Sequence, residues 1–297
     1  MSLNFSRRQM MKLSAGALLA AGMWPRRAWA ADPATRPLKF IQVNDLHYFD
    51  DNCAPFFEGL VKEFNKVDGA AFVLIVGDLV DGGTAGECHA LHDILSSLKV
   101  PYYITCGNHD PLPSGERGPW ESVFGNKLNV NMENNGWQFV GLDTSDGTKV
   151  SKFDCKKETL DFAATLPAKL DKDKPTFLYT HFPLGPGVTN RLQNADTLLE
   201  PFKHLNVAAI FTGHYHAYTQ KNIGSAIATT NVCCSFKRAN HDNTFQKGFF
   251  VIEAADGQWK RTFIEYGTDF KGSATPANKP LPTTKPARTA DLSAPWY

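Results

Sequence analysis

Between residues 38 and 216 the chain alternates short apolar runs with segments of helical periodicity. Apolar or β-branched runs predict strands at 38–44, 71–76, 101–105, 137–142, 176–180 and 207–211. Apolar residues spaced three and four apart predict helices at 54–67, 84–98 and 195–205. Strands that are apolar throughout and separated by helices are typical of a sheet covered on both faces. We therefore predict an α/β fold.

The pattern changes after residue 216. Runs at 226–230, 248–253 and 259–266 follow one another without helices, and Asp256-Gly257 has the composition of a tight hairpin turn. These runs predict antiparallel strands, which we expect to form a second sheet packed on the first. One domain then covers residues 38–267, and a chain with 42% hydrophobic residues can bury a sizeable core there.

Both ends of the chain differ from this domain. Residues 271–297 contain five prolines among Ser, Thr, Ala and Lys, which predicts an extended or disordered tail. The first thirty residues contain the pair Arg7-Arg8, an apolar run at 13–23 and the sequence Ala28-Trp29-Ala30. That run is shorter than the roughly 20 residues that span a bilayer, and the small residues suit cleavage by a signal peptidase.

Residues 1–30 thus resemble a twin-arginine signal peptide; a basic amphipathic helix kept on the mature protein is the alternative. The resemblance implies that the protein folds in the cytoplasm and meets the twin-arginine translocase and signal peptidase during export. We expect a periplasmic or secreted protein without a stable membrane span.

Charge and cysteine content narrow the possible functions. Five basic residues and no acidic residue lie in the first thirty, so removing these five charges from the formal net charge of +1 leaves about −4 for the remainder. A negative domain argues against nucleic-acid binding through phosphate contacts. The six cysteines have no C-x-x-C spacing, and their pairing stays open. We expect Cys233 and Cys234 to be buried thiols, with a strained vicinal disulfide as the alternative.

Carboxylate, amide and imidazole groups follow five of the predicted strands. The carboxyl ends of the strands in an open α/β sheet collect ligands at one edge, so five such ends can meet at one place. Each motif alone is unspecific, but together and in order they predict a site. Its candidate residues are Asp45, His47, Asp78, Asp81, Asn108, His109, Asp110, His181, His214 and His216.

The two histidines at 214 and 216 are the most suggestive of these motifs. Gly213 permits a sharp turn, and an extended backbone would place the two imidazoles on opposite sides, where each can bind a different ion. Two other groups are not expected to contribute. Asn240-His241-Asp242 lacks a preceding strand and a glycine, and Cys88, His89 and His92 lie on a predicted helix where adjacent side chains do not converge.

The donor types indicate the metal. Two or three carboxylate or amide oxygens with four imidazoles suit Zn, Mn, Fe or Co, whereas Ca and Mg prefer nearly all oxygen. Seven donors are too many for one tetrahedral ion and suit two divalent ions that share a carboxylate. A water between two such ions loses its proton near neutral pH, which gives a bridging hydroxide able to attack phosphorus.

Taken in order, the five motifs resemble the calcineurin-like metallophosphoesterase superfamily over about residues 38–266. The resemblance implies a two-sheet β-sandwich flanked by helices and a binuclear metal-dependent phosphoesterase. It implies seven metal ligands: Asp45, His47 and His216 for the first ion, Asn108, His181 and His214 for the second, and Asp78 as the bridge. It also implies that His109 donates a proton to the leaving group and that Asp81 orients His109.

Departures from the superfamily pattern narrow the activity. Asp81 is followed by Gly82-Gly83, where the protein phosphatases have a phosphate-binding arginine, and it stands where purple acid phosphatases have a tyrosine ligand. At position 110 the protein phosphatases have glutamate, whereas the aspartate here resembles the cyclic-nucleotide and glycerophosphodiester phosphodiesterase branch. We expect a phosphodiesterase with a small phosphoester substrate. A phosphomonoesterase acting on small or nucleotide phosphates and a metal-binding scaffold without turnover are the alternatives.

Aromatic residues beside the ligands have two possible roles. They either line the substrate site or pack in the core. The residues concerned are Tyr48, Phe49 and Phe182.

Replacing both Arg7 and Arg8 with lysine should keep the protein in the cytoplasm, folded and active. We expect the translocase to recognise the arginine pair as an export signal, and the pair is absent from the processed chain and so has no role in its fold. Immunoblotting of cytoplasmic and periplasmic fractions measures the distribution, with Arg36→Lys as a control outside the signal. Normal export of the double variant would show that another route is used.

Overall fold

A computed structural model describes residues 35–274 of the protein. The predicted signal peptide and nearly all of the predicted tail lie outside the described residues. No helix among residues 35–274 is both long and apolar enough to cross a membrane. The strands are β1 (Leu38–Val43), β2 (Val73–Val76), β3 (Tyr102–Thr105), β4 (Val130–Asn134), β5 (Trp137–Gly141), β6 (Thr176–Tyr179), β7 (Val207–Thr212), β8 (Thr219–Ile223), β9 (Ala226–Thr230), β10 (Gly248–Ala255) and β11 (Gln258–Glu265).

The helices lie mainly between the parallel strands. The α-helices are α1 (Ala54–Phe64), α2 (Ala85–Leu95), α3 (Gly118–Phe124), α4 (Lys157–Thr165) and α5 (Ala195–Leu199), and 3₁₀ helices span Asp51–Cys53, Leu166–Lys169 and Glu200–Phe202. The start of α2 carries a capping box, in which the Thr84 side chain and the Glu87 side chain each bond the other's backbone N–H. This cap fixes the chain just after the Asp81 loop.

Two mixed sheets are formed by these strands. The first has the order β11-β10-β1-β2-β3, in which β1, β2 and β3 are parallel and β10 and β11 are antiparallel to their neighbours. The second has the order β4-β5-β6-β7-β9-β8, with β5, β6, β7 and β9 parallel and an antiparallel strand at each edge. The predicted α/β fold with two sheets flanked by helices is confirmed.

An aromatic core lies between the sheets. The ring of Phe40 in β1 stacks on Phe72 with centroids 5.0 Å apart and meets Phe139 of β5 edge-on at 5.3 Å. Ile41 and Val43 point to the other face of β1, where they share a second core with residues of α1, α2 and α3. Helices α4 and α5 cover the outer face of the second sheet. Strand β1 is mainly apolar because both of its faces pack against a core, and Lys39 and Gln42 are its two polar residues.

The segment after residue 216 is divided between the two sheets, which corrects our expectation that it forms a sheet of its own. Strand β9 is parallel to β7 and extends the second sheet, whereas β10 and β11 extend the first. The side chains explain the division, since Ala226 and Ala228 pack in the core of the second sheet and Phe250 and Ile252 in the core between sheets. The predicted hairpin is confirmed, with Asp256 and Gly257 both at positive φ.

Two strands and two α-helices, β4, β8, α3 and α4, were not predicted from the sequence, and neither were the 3₁₀ helices Asp51–Cys53 and Leu166–Lys169. The two strands lie at sheet edges, and most of their side chains are partly or fully exposed, so they carry no apolar run. Helix α4 buries only Thr159 and Ala163, which is too few apolar positions to give a helical period. Helix α3 has only seven residues.

Candidate metal centre

The candidate site lies where strands of both sheets end. Its residues follow the carboxyl ends of β1, β2 and β3 in the first sheet and of β6 and β7 in the second. The described residues contain three groups of ligand-type side chains whose donor atoms lie within 4.8 Å of one another. They are Asp45, His47, Asp78 and His216; Asp78, His181 and His214; and His47, Asp81 and His109.

The first group, which we call the Asp45 cluster, consists of Asp45, His47, Asp78 and His216. The Nε2 atoms of His47 and His216 are 3.1 Å apart, and Nε2 of His216 is 3.2 Å from Oδ1 of Asp45. Donor atoms that each lie about 2.0–2.2 Å from one transition-metal ion are necessarily about 3 Å apart. The spacing therefore fits a common ion.

The second group is Asp78, His181 and His214, and with the neighbouring Asn108 we call it the His181 cluster. Nε2 of His181 is 3.2 Å from Oδ1 of Asn108 and 3.4 Å from Oδ2 of Asp78. The same Oδ2 atom is 3.5 Å from Nε2 of His47 in the Asp45 cluster. The other Asp78 oxygen accepts a 2.8 Å hydrogen bond from the backbone N–H of His109. One carboxylate oxygen thus faces both clusters.

Each of the four imidazoles in the two clusters has one nitrogen next to an oxygen acceptor. A carbonyl or carboxylate oxygen only accepts, so that nitrogen carries a proton, and the other nitrogen is the one that a metal ion could bind in the neutral imidazole. The bonds are His47 Nδ1 to Asp81 Oδ1 at 3.1 Å, His181 Nδ1 to the Val76 carbonyl at 3.2 Å, His214 Nε2 to the Val150 carbonyl at 2.8 Å and His216 Nδ1 to the Ala239 carbonyl at 3.4 Å.

Five of the site residues adopt the left-handed backbone conformation that side chains normally avoid. Their φ angles lie between 46° and 67°. This overturns the extended backbone that we expected around His214 and His216, although the two imidazoles do diverge into different clusters. Hydrogen bonds from the backbone of His47 to Asp78 O and of His214 to the Asp45 carboxylate help to hold the strained loops. The residues are Asp45, His47, Asp78, His214 and His216.

Glycines in these loops leave room for the carboxylates. A Cβ atom on Gly213 would lie 2.7 Å from Oδ2 of Asp45 and 2.9 Å from the Val76 carbonyl oxygen, and one on Gly107 would overlap Asp78. The φ of Gly213 is not positive. Gly213 is therefore required by close approach to Asp45 and not by the sharp turn that the sequence suggested.

His109 lies beside the two clusters and faces outward. Its side chain is 29% exposed, whereas the neighbouring Asn108 is buried. Nδ1 of His109 is 3.1 Å from the backbone carbonyl oxygen of Asp81 and 3.7 Å from the Asp81 carboxylate. The structure therefore brings His109 and Asp81 together, with the carbonyl as the nearer acceptor.

Charges are balanced within each cluster. Burial lowers the pKa of His47 to about 4 and of His214 to about 3, so these imidazoles are neutral. Burial alone would lower the pKa values of His181 and His216. The carboxylate of Asp78 nevertheless raises the pKa of His181 to about 9, and that of Asp45 raises the pKa of His216. In each cluster a buried carboxylate thus holds a positive charge on one imidazole, and the same negative potential would bind a cation.

Sequence reasoning missed two basic residues beside Asp81. Burial would raise the pKa of Asp81, but contacts with His47, Lys237 and Arg238 lower it well below its usual range. Lys237 Nζ is 2.5 Å from Oδ2, and Arg238 bonds Oδ1 through Nε at 2.9 Å and Nη2 at 2.6 Å. Lys237 and Arg238 lie in no strand and in no recognisable motif, and Lys237 is 156 residues from Asp81 in the sequence. The contact could therefore not be predicted from the sequence.

The segment that we set aside as Asn240-His241-Asp242 also reaches the site. The His241 ring stacks on His216, with centroids 4.8 Å apart. In the trio of Cys88, His89 and His92, Cys88 is buried whereas His89 is exposed.

The cysteines and two of the three aromatic residues beside the ligands are buried in the core. All six cysteines are buried free thiols, which confirms the expectation for Cys233 and Cys234. Tyr48 and Phe182 are buried and pack in the core, and Phe49 is only partly buried.

Asp110 is buried and joins the loops that carry Asp78 and Asn108. Its Oδ1 atom accepts bonds from the backbone N–H groups of Leu79 and Val80 at 2.7 and 3.0 Å, and Oδ2 accepts one from Gly107 at 2.7 Å. Burial and the nearby Asp78 raise the pKa of Asp110 to about 7. Its three bonds give it a structural role.

Replacing Asp110 with alanine should lower the free energy of unfolding by at least about 3 kcal/mol, because each buried N–H left unpaired costs about 1–3 kcal/mol. Asp110→Asn should cost less, since the amide oxygen still accepts on one side. Denaturant unfolding measures both, with the exposed Asp93→Ala on α2 as the control. An unchanged unfolding midpoint for Asp110→Ala would contradict the structural role.

Comparison with known proteins identifies the family of the chain. The chain is 24% identical over 237 residues to a "Probable cyclic nucleotide phosphodiesterase" of Xenorhabdus bovienii, which covers 71% of this chain and 93% of that protein. It is 27% identical over 215 residues to a "Probable glycerophosphodiester phosphodiesterase GpdQ" of Arcobacter nitrofigilis, which covers 68% and 76%. GAP50, the anchor in the inner membrane complex of Plasmodium, has a similar fold, with a TM-score of 0.56 at 18% identity over 80% of this chain and 86% of GAP50. Residues 38–218 match the calcineurin-like phosphoesterase family, so the chain belongs to this family of metal-dependent hydrolases.

Proposed function

We propose that the protein is a binuclear metal-dependent phosphodiesterase. The observation that carries the proposal is Oδ2 of Asp78, which lies 3.5 Å from Nε2 of His47 and 3.4 Å from Nε2 of His181. A carboxylate oxygen that faces two separate ligand clusters suits a pair of ions that share it. A single structural ion would leave one cluster of buried donors unused.

The donor set fits divalent Fe, Mn, Zn or Co. Asp45, His47 and His216 would hold one ion and Asn108, His181 and His214 the other, with Asp78 between them. Each imidazole has one nitrogen next to an oxygen acceptor, so its other nitrogen is the one that would bind an ion, which in His181 and His216 would replace a proton. When bound, such ions lower the pKa of a water molecule and neutralise charge on phosphate oxygens.

The chain's own residues supply the proton transfer. His109 gives Nδ1–H to the Asp81 carbonyl oxygen, which fixes its ring and leaves Nε2 to face the substrate. Protonated at Nε2, His109 would donate that proton to the oxygen of the departing alcohol as the phosphorus–oxygen bond breaks. Asp81, bonded to His47 and adjacent to His109, would hold both rings in place.

Two further features support the choice of diester and of location. Both relatives named above are called phosphodiesterases, and they match 93% and 76% of their own lengths. The paired arginines and the cleavage-like Ala28-Trp29-Ala30 favour export, so we place the activity in the periplasm or outside the cell.

Asp78→Asn should lose metal from both clusters together with activity. The amide oxygen is a neutral and weaker ligand, and within residues 35–274 Asp78 is the one carboxylate that belongs to both clusters. Metal analysis of protein purified without chelator should find two ions per wild-type chain. Hydrolysis of bis(4-nitrophenyl) phosphate should exceed that of 4-nitrophenyl phosphate in wild type, and both should be lost in the variant. Asp161→Asn on the surface of α4 is the matched control.

Two outcomes would contradict this proposal. Faster hydrolysis of the monoester would make the protein a phosphomonoesterase. Two bound ions without turnover of either ester would leave a metal-binding scaffold.

His109→Ala should keep both ions but lose about 10²- to 10⁴-fold in kcat on a diester with an alkyl leaving group, which is the usual contribution of general acid catalysis. The loss should be smaller on an activated aryl diester, because a weakly basic leaving group needs little protonation. Steady-state rates on the two substrates measure the difference, and the exposed His204→Ala is the control. Loss of metal, or an equal loss on both substrates, would rule out the proton-donor role.

A further inference from the structure

Two cations lie beside the candidate proton donor. Arg238 Nη2 is 3.4 Å from Nδ1 of His109, and Lys237 lies on the other side of Asp81 with its Nζ 4.8 Å from the centre of the Phe49 ring. Their side chains are 36% and 43% exposed. The pair is thus open to a ligand at the mouth of the site.

The pair carries more charge than Asp81 compensates. One carboxylate faces two permanent cations, and its remaining partner is Nδ1 of His47 at 3.1 Å. Among the described residues, Nη1 of Arg238 makes no hydrogen bond, and Nζ of Lys237 has one acceptor for its three protons. Net positive charge and unused donors remain available to an anion.

A buried lysine holds this segment in position. Lys247 is 2% exposed, and its Nζ donates to the carbonyl oxygens of Ser235 and Arg238 at 2.6 and 2.8 Å and to Oγ of Ser273 at 3.0 Å. The backbone N–H of Arg238 also donates to Oγ of Ser235 at 3.0 Å. The two cations therefore stand on a fixed backbone, which lowers the entropy cost of binding a ligand.

We propose that Lys237 and Arg238 form a subsite for an anionic group on the leaving alcohol of the substrate. The inference rests on the proposed function, because the proton-donor role of His109 identifies the side of the site where the leaving group lies. A residue that protonates the departing oxygen must lie on the leaving-group side, and Nη2 of Arg238 lies 3.4 Å from Nδ1 of His109. The substrate class is a phosphodiester whose leaving alcohol bears a carboxylate or a phosphate.

Three synthetic diesters separate this subsite from a general attraction for anions. The reference is methyl 3-nitrophenyl phosphate. The second has a carboxylate at position 5 of the nitrophenol that leaves, where it changes the leaving-group basicity little. The third has the carboxylate on the alkyl group that is retained. Each is tested with protein purified without chelator.

Wild type should prefer the second diester over the reference by about ten- to hundredfold in kcat/KM, as a charge-assisted hydrogen bond typically gives. The third diester should show no such preference. Lys237→Gln and Arg238→Gln should each bring the ratio of second diester to reference towards one, and Lys237→Arg and Arg238→Lys should retain most of it. Comparing two substrates on one variant cancels any general damage from disturbing Asp81.

The control is Lys157→Gln, which removes a lysine from an exposed pair with Asp161 on α4 and should leave the ratio unchanged. No preference in wild type, or an unchanged ratio in both glutamine variants, would overturn the subsite while the phosphodiesterase proposal stands. Failure to hydrolyse any of the three diesters would overturn both.

Discussion

A buried carboxylate oxygen, Oδ2 of Asp78, lies between imidazoles that belong to different sheets. His47 follows β1 of the first sheet and His181 follows β6 of the second. A charge of this kind is costly to bury unless it is paired. The loops at the edges of both sheets place imidazoles and a backbone N–H around this carboxylate, and these groups compensate its charge. Five residues of these loops adopt a strained backbone conformation to do so.

Much of the fold was predictable because its central strands are simple. Strand β2 is buried on both faces and apolar throughout, and only Lys39 and Gln42 interrupt the apolar residues of β1, so a polar residue at the end of either strand is conspicuous. The candidate ligands could be found for the same reason. Edge strands β4 and β8 follow no such rule, because their pairing partners decide their structure and their composition does not.

Long-range contacts account for what the sequence could not give. Asp81 was expected to act on His109, yet its carboxylate is held mainly by His47, Lys237 and Arg238. The assignment of β9 to the second sheet and of β10 to the first likewise depends on which core their side chains fill. No local pattern encodes either result. Backbone conformation was equally hidden, since nothing in His214-Tyr215-His216 distinguishes a left-handed loop from an extended one.

The place of β1 in the first sheet has a consequence for the order of events during synthesis. β1 is the first strand of the described domain, and it pairs on one side with β10, as Leu38 lies opposite Ala254. Pairings between residues so far apart form slowly and only after most of the chain has been made. In a ribosome-bound fragment that stops before β10, the β1 edge of the first sheet is unpaired, so its backbone N–H and C=O groups can pair with other chains and lead to aggregation. The unpaired edge of β1 therefore has to be kept from pairing with other chains until β10 has been made and has paired with it.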